Sequence, residues 1–308
     1  MNKVIVSGSL NMDMSVQCRT VPRRGETAIG DNFLETPGGK GGNQAVACAR
    51  MGADTFMVAK VGDDTRGRAL VASLARPGVT CSNVSVSETE HTAVAVVIRA
   101  EGDNRIVVDP GANAAMTYPE IRAAIHGLAG KGNYFLTQLE GNFEATIESI
   151  LCAKRNGLFT VLNASPARSV PTKVYEALDL LCVNETECEL LSGTNPVNDD
   201  DRKKALAYFA DQGVKQTVIT LGRRGSVSMV DGEYVKVPTF RVDTVDTTGA
   251  GDAYLGELVA HLSFGGSLQE SMVYASAAAA LCVGKVGAQA AMPTWDEVEK
   301  FVAEHGTK

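Results

Sequence analysis

Residues 3–8 read Lys-Val-Ile-Val-Ser-Gly, a β-branched run closed by glycine, the pattern of a strand buried on both faces. A similar run at 55–61 is followed by a helical period at 64–74. From residue 117 the alternation becomes regular. It predicts helix 118–128, strand 133–138, helix 143–156, strand 158–162, helix 171–178, strand 180–183 and helix 185–191. Helix 200–212, strand 216–221, a hairpin near 226–237, helices 251–263 and 268–283 and a last helix near 294–303 complete the series. Two stretches break the rhythm. In 14–37, Val16, Val21, Thr27, Ile29 and Phe33 are interleaved with polar residues, Pro22 and Gly25, which suits short antiparallel strands. Residues 92–109 alternate around a turn carrying Gly102, Asp103 and Asn104, a hairpin pattern. The expected fold is a single α/β domain over 1–308, with a mostly parallel sheet and helices on both faces. The two irregular pieces, 14–37 and 91–110, are expected to meet as a small antiparallel β lid over the strand ends.

Composition narrows the class. Hydrophobic residues make up 44% and charged residues 21%, so the chain can bury a large core. A net charge of −7, with no basic block or basic helix face, argues against nucleic acid and anionic membrane as partners. Any site for a phosphorylated ligand must be built locally against this acidic background. The seven cysteines are scattered without a C-x-x-C pair and predict neither a disulfide framework nor a zinc cluster. The N-terminus turns polar too soon for a signal peptide, and no apolar run nears the roughly 18 residues of a membrane span. A cytoplasmic enzyme is the expectation.

Candidate chemistry gathers where strands end. Residues 245–252, Val-Asp-Thr-Thr-Gly-Ala-Gly-Asp, read as a strand, a tight turn and a helix start with Asp252 in the first turn. Small residues at 249–251 admit a ligand close to the backbone, and free amides at a helix start attract anions. Asp252 then reads in two ways. It complements the helix dipole, or it takes a proton while the amides hold charge on a transferring phosphoryl group. Asn11 and Asp13 follow the first strand at alternate positions, either as a turn pair or as a site for a polar ligand. Pro37-Gly38-Gly39-Lys40-Gly41-Gly42-Asn43-Gln44 leads into a helix read as 45–51, and its glycines suggest a ligand against the backbone. Lys40 lacks the G-x-x-x-x-G-K-[ST] spacing, so the loop is not a Walker A motif. Glu140, Asn184 and the 220–225 segment close later strands. Asn184 with Glu187 reads equally as a capping box, and Gly222 and Gly225 as turn residues. Their joint placement at carboxyl strand ends favours a ligand site.

Taken together, Gly8-Ser9-Leu10-Asn11-Met12-Asp13, Gly38-Gly39-Lys40-Gly41-Gly42-Asn43-Gln44-Ala45 and Asp246-Thr247-Thr248-Gly249-Ala250-Gly251-Asp252 resemble, in order, the motifs of the ribokinase (PfkB) family of sugar kinases. Asn-Glu-Thr-Glu at 184–187 and Gly287-Ala288-Gln289 extend the likeness over essentially the whole chain. The resemblance implies transfer of the γ-phosphate of ATP to the 5-hydroxyl of D-ribose. Asp252 would be the base, and the amides of Gly249, Ala250 and Gly251 the anion hole. Asn11, Met12, Asp13, Gly39, Lys40, Gly41, Gly42, Asn43 and Glu140 match the family's sugar-side positions, together with Asp252. Asn184, Thr220, Leu221, Gly222, Arg223, Arg224, Gly225, Gly251 and Ser276 match its ATP-side positions. Glu187 falls in the motif tied to Mg²⁺, acting through water. Asp246 and Thr248, with backbone positions at Cys282, Lys285 and Gly287, match a monovalent-cation site. Ala291 departs from a position where a hydroxyl is common, which sets potassium dependence apart as an open point. Ser165 and Ser276 also depart from the family's usual residues.

By the same analogy the lid's exposed face would form a homodimer. Deoxyribose, a ketose or adenosine remain alternative acceptors, and a non-catalytic sugar or nucleotide sensor remains an alternative of another class.

Overall fold

A computed structural model describes residues 2–101 and 103–306. The expected turn residue Gly102 lies outside the described residues. In chain order the strands are β1 (Lys3–Ser7), β2 (Asn11–Cys18), β3 (Gly30–Gly38), β4 (Asp54–Gly62), β5 (Thr80–Ser87), β6 (Val94–Ala100) and β7 (Asp103–Asp109). They continue as β8 (Tyr134–Thr137), β9 (Phe159–Asn163), β10 (Leu180–Asn184), β11 (Gln216–Thr220), β12 (Ser226–Val230) and β13 (Glu233–Val237).

The main sheet has nine strands in the order β13-β12-β11-β10-β9-β8-β1-β4-β5. All neighbours from β11 to β5 run parallel, and the β12–β13 hairpin adds an antiparallel edge. Side chains of the inner strands alternate between two apolar cores. Val4 and Val6 of β1 face one, with the helices Lys40–Arg50, Ala250–Ser263 and Leu268–Val283. Ile5 faces the other, with Tyr118–Leu128, Phe143–Arg155 and Asp199–Asp211. Burial on both faces explains why these strands read as unbroken hydrophobic runs.

The chain proceeds from β1 to one side through β4 and β5, then returns to the other side through β8 to β13. The strand order therefore reverses between β1 and β8, and a crevice opens at their carboxyl ends. Ser9, Gln138 and Glu140 stand at that reversal.

The second sheet has the order β3-β2-β6-β7, so the two irregular pieces do meet. It is not wholly antiparallel. β2 and β6 run parallel from Met12↔Val94 to Gln17↔Arg99, because both hairpins leave the body in the same sense and pair through their first strands. The first piece also begins earlier than expected, at Asn11 rather than 14, which puts Asn11 and Asp13 on the lid strand itself.

Two further readings are corrected. β5 escaped notice because its sequence, Thr-Cys-Ser-Asn-Val-Ser-Val-Ser, is that of a polar edge strand. The helix expected at 45–51 starts at Lys40, immediately after Gly39 with φ 86°. Gly41 is therefore helical, and a Cβ there would lie 2.6 Å from Gly8 C and Ser9 N. The glycines let the helix start press on the turn after β1. One turn beyond Asp252, Gly256 allows a comparable approach, since a Cβ there would fall 2.3 Å from Ala47 Cβ and 3.0 Å from the Gln44 carbonyl.

Candidate active site

Three elements deliver the polar groups. The helix Ala250–Ser263 starts at Gly249, whose φ of 78° turns the chain from the preceding loop into the first turn. Asp252 sits in that turn, 8% exposed. The helix Lys40–Arg50 supplies its partners: Asn43 Nδ2 donates to Asp252 Oδ2 at 2.9 Å, and Gln44 Nε2 donates to Oδ1 at 2.9 Å. Burial pushes the Asp252 carboxyl up, while the Lys40 ammonium and the two amides pull it back towards the charged form.

Beside Asp252 lie two more carboxylates. Glu140 Oε2 accepts from Ser9 Oγ at 2.5 Å and from the Lys40 amide at 3.0 Å, and its Oε1 is 4.0 Å from Lys40 Nζ. Asp13 comes in from the lid strand and packs on Gly38, where a Cβ would lie 2.2 Å from its Oδ2. Burial, with the nearby Glu140 and Asp252 charges, raises Asp13 to about 7. Lys40 is the counter-charge. Burial works against its ammonium, but Asp252, Glu140 and Glu187 outweigh burial and hold its proton more firmly than usual. Asn11 is fixed by Asn113, whose Nδ2 donates to Asn11 Oδ1 at 2.7 Å and whose Oδ1 accepts from Leu10 N at 3.0 Å. Met12 alternates inward and joins the apolar core, so its side chain does not belong with this polar group.

On the other side of Asp252 a cavity of about 650 Å³ opens. Of the expected ATP-side residues, Asn184, Thr220, Gly222, Arg223, Gly225, Gly251 and Ser276 line it. Leu221 and Arg224 do not. Leu221 packs in the core, and Arg224 is ion-paired with Glu185. The rest of the lining was not anticipated: Thr239, Phe240, Arg241, Val242 and Thr244 from an irregular segment, and Ala279, Ala280 and Val283 from the helix Leu268–Val283. The cavity reaches Thr247, Ala250 and Gly251, so the start of the Asp252 helix faces it. Within the expected anion hole, the Ala250 amide is turned back onto the Thr247 carbonyl at 3.3 Å. A Cβ placed on Gly251 would meet nothing within 4 Å, so this residue presents bare backbone to the cavity.

Asn184 and Glu187 form a full capping box, with Asn184 N donating to Glu187 Oε2 at 2.9 Å. The structural reading of this pair thus holds, and it coexists with the placement of Asn184 on the cavity wall. Glu187, 6% exposed, is a lone carboxylate whose field reaches Lys40. A single carboxylate with one oxygen committed suits Mg²⁺ that keeps most of its waters.

The expected monovalent-cation residues form a tied loop. Asp246 Oδ1 accepts from Thr248 N at 2.9 Å and Oγ1 at 2.7 Å, and Oδ2 accepts from Gly287 N at 3.0 Å. Burial would raise Asp246, but these donors prevail and hold it charged. The Cys282 thiol points at the Thr248 carbonyl, Lys285 pairs with Glu297, and Ala291 is fully buried without a hydroxyl. The charge fits a cation, and Ala291 leaves one position without a protein hydroxyl, which a water would have to fill. Among the described residues, no cluster of three or more His, Cys, Asp or Glu side chains could hold a metal, and no helix is long and apolar enough to cross a membrane.

Sequence reading missed Gln44, Asn113, Gln138 and Asn163 as parts of the site. Gln138 follows β8 and Asn163 ends β9, and a polar residue at the carboxyl end of a buried strand was the available signal.

A doubly wound sheet with a β lid, a buried carboxylate at a helix start and a nucleotide-sized cavity beside it define a kinase of small alcohols. Residues 1–295 match the model of the pfkB family of carbohydrate kinases. The chain is 35% identical to the ribokinase of Bacillus subtilis over 303 residues, covering 98% of this chain and 100% of that one. It is 31% identical to the deoxyribokinase of Salmonella typhi over 97% of this chain and 98% of the other. The Arabidopsis thaliana ribokinase complexed with ribose and ATP superposes with a TM-score of 0.89, at 30% identity and 98% coverage of both chains. The chain belongs to the pfkB family of carbohydrate kinases, and it is a phosphotransferase with an alcohol acceptor.

Proposed function

We propose that the protein phosphorylates the 5-hydroxyl of D-ribose from Mg·ATP, with Asp252 as the base. The observation that carries this reading is the position of Asp252. It lies between a polar cluster with two further carboxylates and an ammonium on one side and the cavity of about 650 Å³ on the other. Asn11, Asp13, Lys40, Asn43 and Glu140 bring both donors and acceptors, which suits a ligand with several hydroxyls. Asn43 Oδ1 is buried without a donor among the described residues, and an acceptor hydroxyl would satisfy it.

In this mechanism Asp252 takes the proton of the primary hydroxyl as that oxygen attacks the γ-phosphorus. Gly251, with Gly249, meets the developing charge through backbone amides, and the Ala250 amide would join them only by leaving the Thr247 carbonyl. Burial raises the Asp252 carboxyl, and Lys40 with the two amides offsets part of that rise in favour of the ionised form. Mg²⁺, held near Glu187 through water, would neutralise the ATP phosphates. The lid carries Asp13, so its closure would join sugar recognition to exclusion of water. On the Asp13 face of the lid, Leu34, Ile106 and Val108 are exposed, which supports a homodimer of lid against lid. The cellular setting we infer is the cytoplasm.

The deciding experiment is a coupled assay with Mg·ATP and D-ribose, 2-deoxyribose, fructose and adenosine, run in sodium and then in potassium. The expected result is the highest kcat/KM with D-ribose and little gain from potassium. A preference for fructose or adenosine would overturn the assignment. The likeness to a deoxyribokinase makes 2-deoxyribose the specific rival, and equal or better use of it would shift the substrate without touching the chemistry.

A further inference from the structure

Behind Asp252 lies a second set of amide groups that never reaches either ligand space. Gln44 is fully buried, and its side chain is committed in three directions. Its Nε2 donates to Asp252 Oδ1 at 2.9 Å and to Asn163 Oδ1 at 3.1 Å, and its Oε1 accepts from Gln138 Nε2 at 2.6 Å. Asn163 is oriented in turn by donating its Nδ2 to the Cys182 carbonyl at 3.3 Å. Gln138 is 1% exposed and sits over Gly8, where a Cβ would lie 2.0 Å from its Oε1.

The pattern of donors and acceptors permits one arrangement. Rotating the Gln44 amide by half a turn would set its oxygen against Asp252 Oδ1 and Asn163 Oδ1, and its NH₂ against the NH₂ of Gln138. Three attractive contacts would become three repulsive ones in a buried setting, where an unmade hydrogen bond costs the most. Asp252 and Asn163 thus select the NH₂ end of Gln44, and Gln138 meets the oxygen that remains and braces that amide against the base, its own Oε1 having no partner among the described residues.

We propose that Gln138, acting through Gln44, is a positioning residue for Asp252: it fixes which carboxylate lone pairs remain free to take the proton of the acceptor hydroxyl. This rests on Asp252 being the base. A carboxylate has about four acceptor positions. The Gln44 and Asn43 amides occupy one on each oxygen, which leaves about two. The charged neighbours of Asp252 are Lys40 from its partner helix and Glu140 after β8, with the Cys282 thiol and the lid's Asp13 also within its field. Every one of them is left in place by a change at Gln138, which makes that residue the cleaner probe.

The test is Gln138→Met, which keeps the volume and removes the donor. The expected result is a fall in kcat of about tenfold, the size of one lost buried hydrogen bond, with KM for ATP unchanged. The acid limb of the kcat–pH profile should move to higher pH, because Gln44 then supports the ionised base less well. A profile whose acid limb stays in place overturns the proposal, whatever happens to kcat. If the variant folds poorly, Asn163→Leu removes the other anchor of Gln44 and is read by the same limb.

A double-mutant cycle with Asp252→Asn separates the two levels of inference. Gln138→Met should cost nothing further in that background, and an additive loss would indicate a purely structural role and overturn the proposal. If Asp252→Asn alone stays near wild-type activity, the base assignment fails. If it is inactive and the Gln138→Met limb is unmoved, only the relay fails.

Discussion

The two halves of the site are built on opposite principles. The acceptor side crowds Asp13, Glu140 and Asp252 around Lys40, with Glu140 and Asp252 held by hydrogen bonds from Ser9, the Lys40 amide, Asn43 and Gln44. The nucleotide side is a roomy cavity whose wall is largely Phe240, Val242, Ala279, Ala280, Val283 and exposed backbone. The first selects a ligand through fixed charges and amides that must be matched one by one. The second offers shape, apolar contact and helix-start amides, and no single side chain dominates it. Charge crowding also costs stability, so the acceptor side is where the fold is strained in favour of function.

Substitutions across the divide should show this contrast. Asp252→Asn, at the junction, should lower kcat by about 10² to 10⁴-fold while sugar still binds, as read by steady-state kinetics and titration calorimetry. Activity within tenfold of wild type would remove the base from the acceptor side. Asp13→Asn should raise KM for the sugar by about 10 to 100-fold, the loss of a charge-assisted hydrogen bond, with KM for ATP unchanged. The same change should stabilise the unliganded protein at neutral pH. Asp13 binds its proton more tightly folded than unfolded, so the wild type loses stability as pH rises from its ordinary value near 3.8 to about 7. Thermal melts of both proteins at pH 5 and pH 7 check the sign, and a gap that fails to open at the higher pH would contradict it.

Glu257 separates burial from partnership. It lies on the same helix as Asp252 and is fully buried, yet neither of its oxygens has a hydrogen-bond partner among the described residues. Burial alone lifts it to about 8. The unfolded chain ionises it near 4.5, so the fold should lose ~1.4 kcal/mol per pH unit between those values. Glu257→Gln should remove that slope in urea melts between pH 5 and 8. A slope unchanged in the variant would mean the carboxyl finds a partner. The smallest effect is expected on the nucleotide side, where Ser276→Ala should raise KM for ATP by less than about fivefold. A loss as large as that of Asp13→Asn would erase the distinction between the two halves.

The same contrast explains what could be read from the chain. Asp13, Glu140 and Asp252 were legible because they stand out as charged residues next to buried apolar runs, whereas the role of Lys40 came only with the family resemblance. Ala279, Ala280 and Val283 were not, since an apolar residue lining a cavity looks the same in sequence as one in the core. The parallel contact between β2 and β6 was likewise hidden, because alternation reveals which face of a strand is buried and says nothing about its neighbour. Gln44 and Gln138 lay in plain view beside noted residues, but amide orientation is a property of three dimensions. Thr80–Ser87 was too polar to signal a strand.

Gly256 carries one last implication. By letting the Asp252 helix touch Ala47 and the Gln44 carbonyl, it ties the base to its amide partners within the rigid body of the protein, while Asp13 rides on the lid. The proposed base and part of the sugar recognition, at Lys40, Asn43 and Glu140, thus share one body, while Asp13 adds a contact from a separately mutable part. A lineage could revise the lid and adjust that one contact without disturbing the helices that hold Asp252.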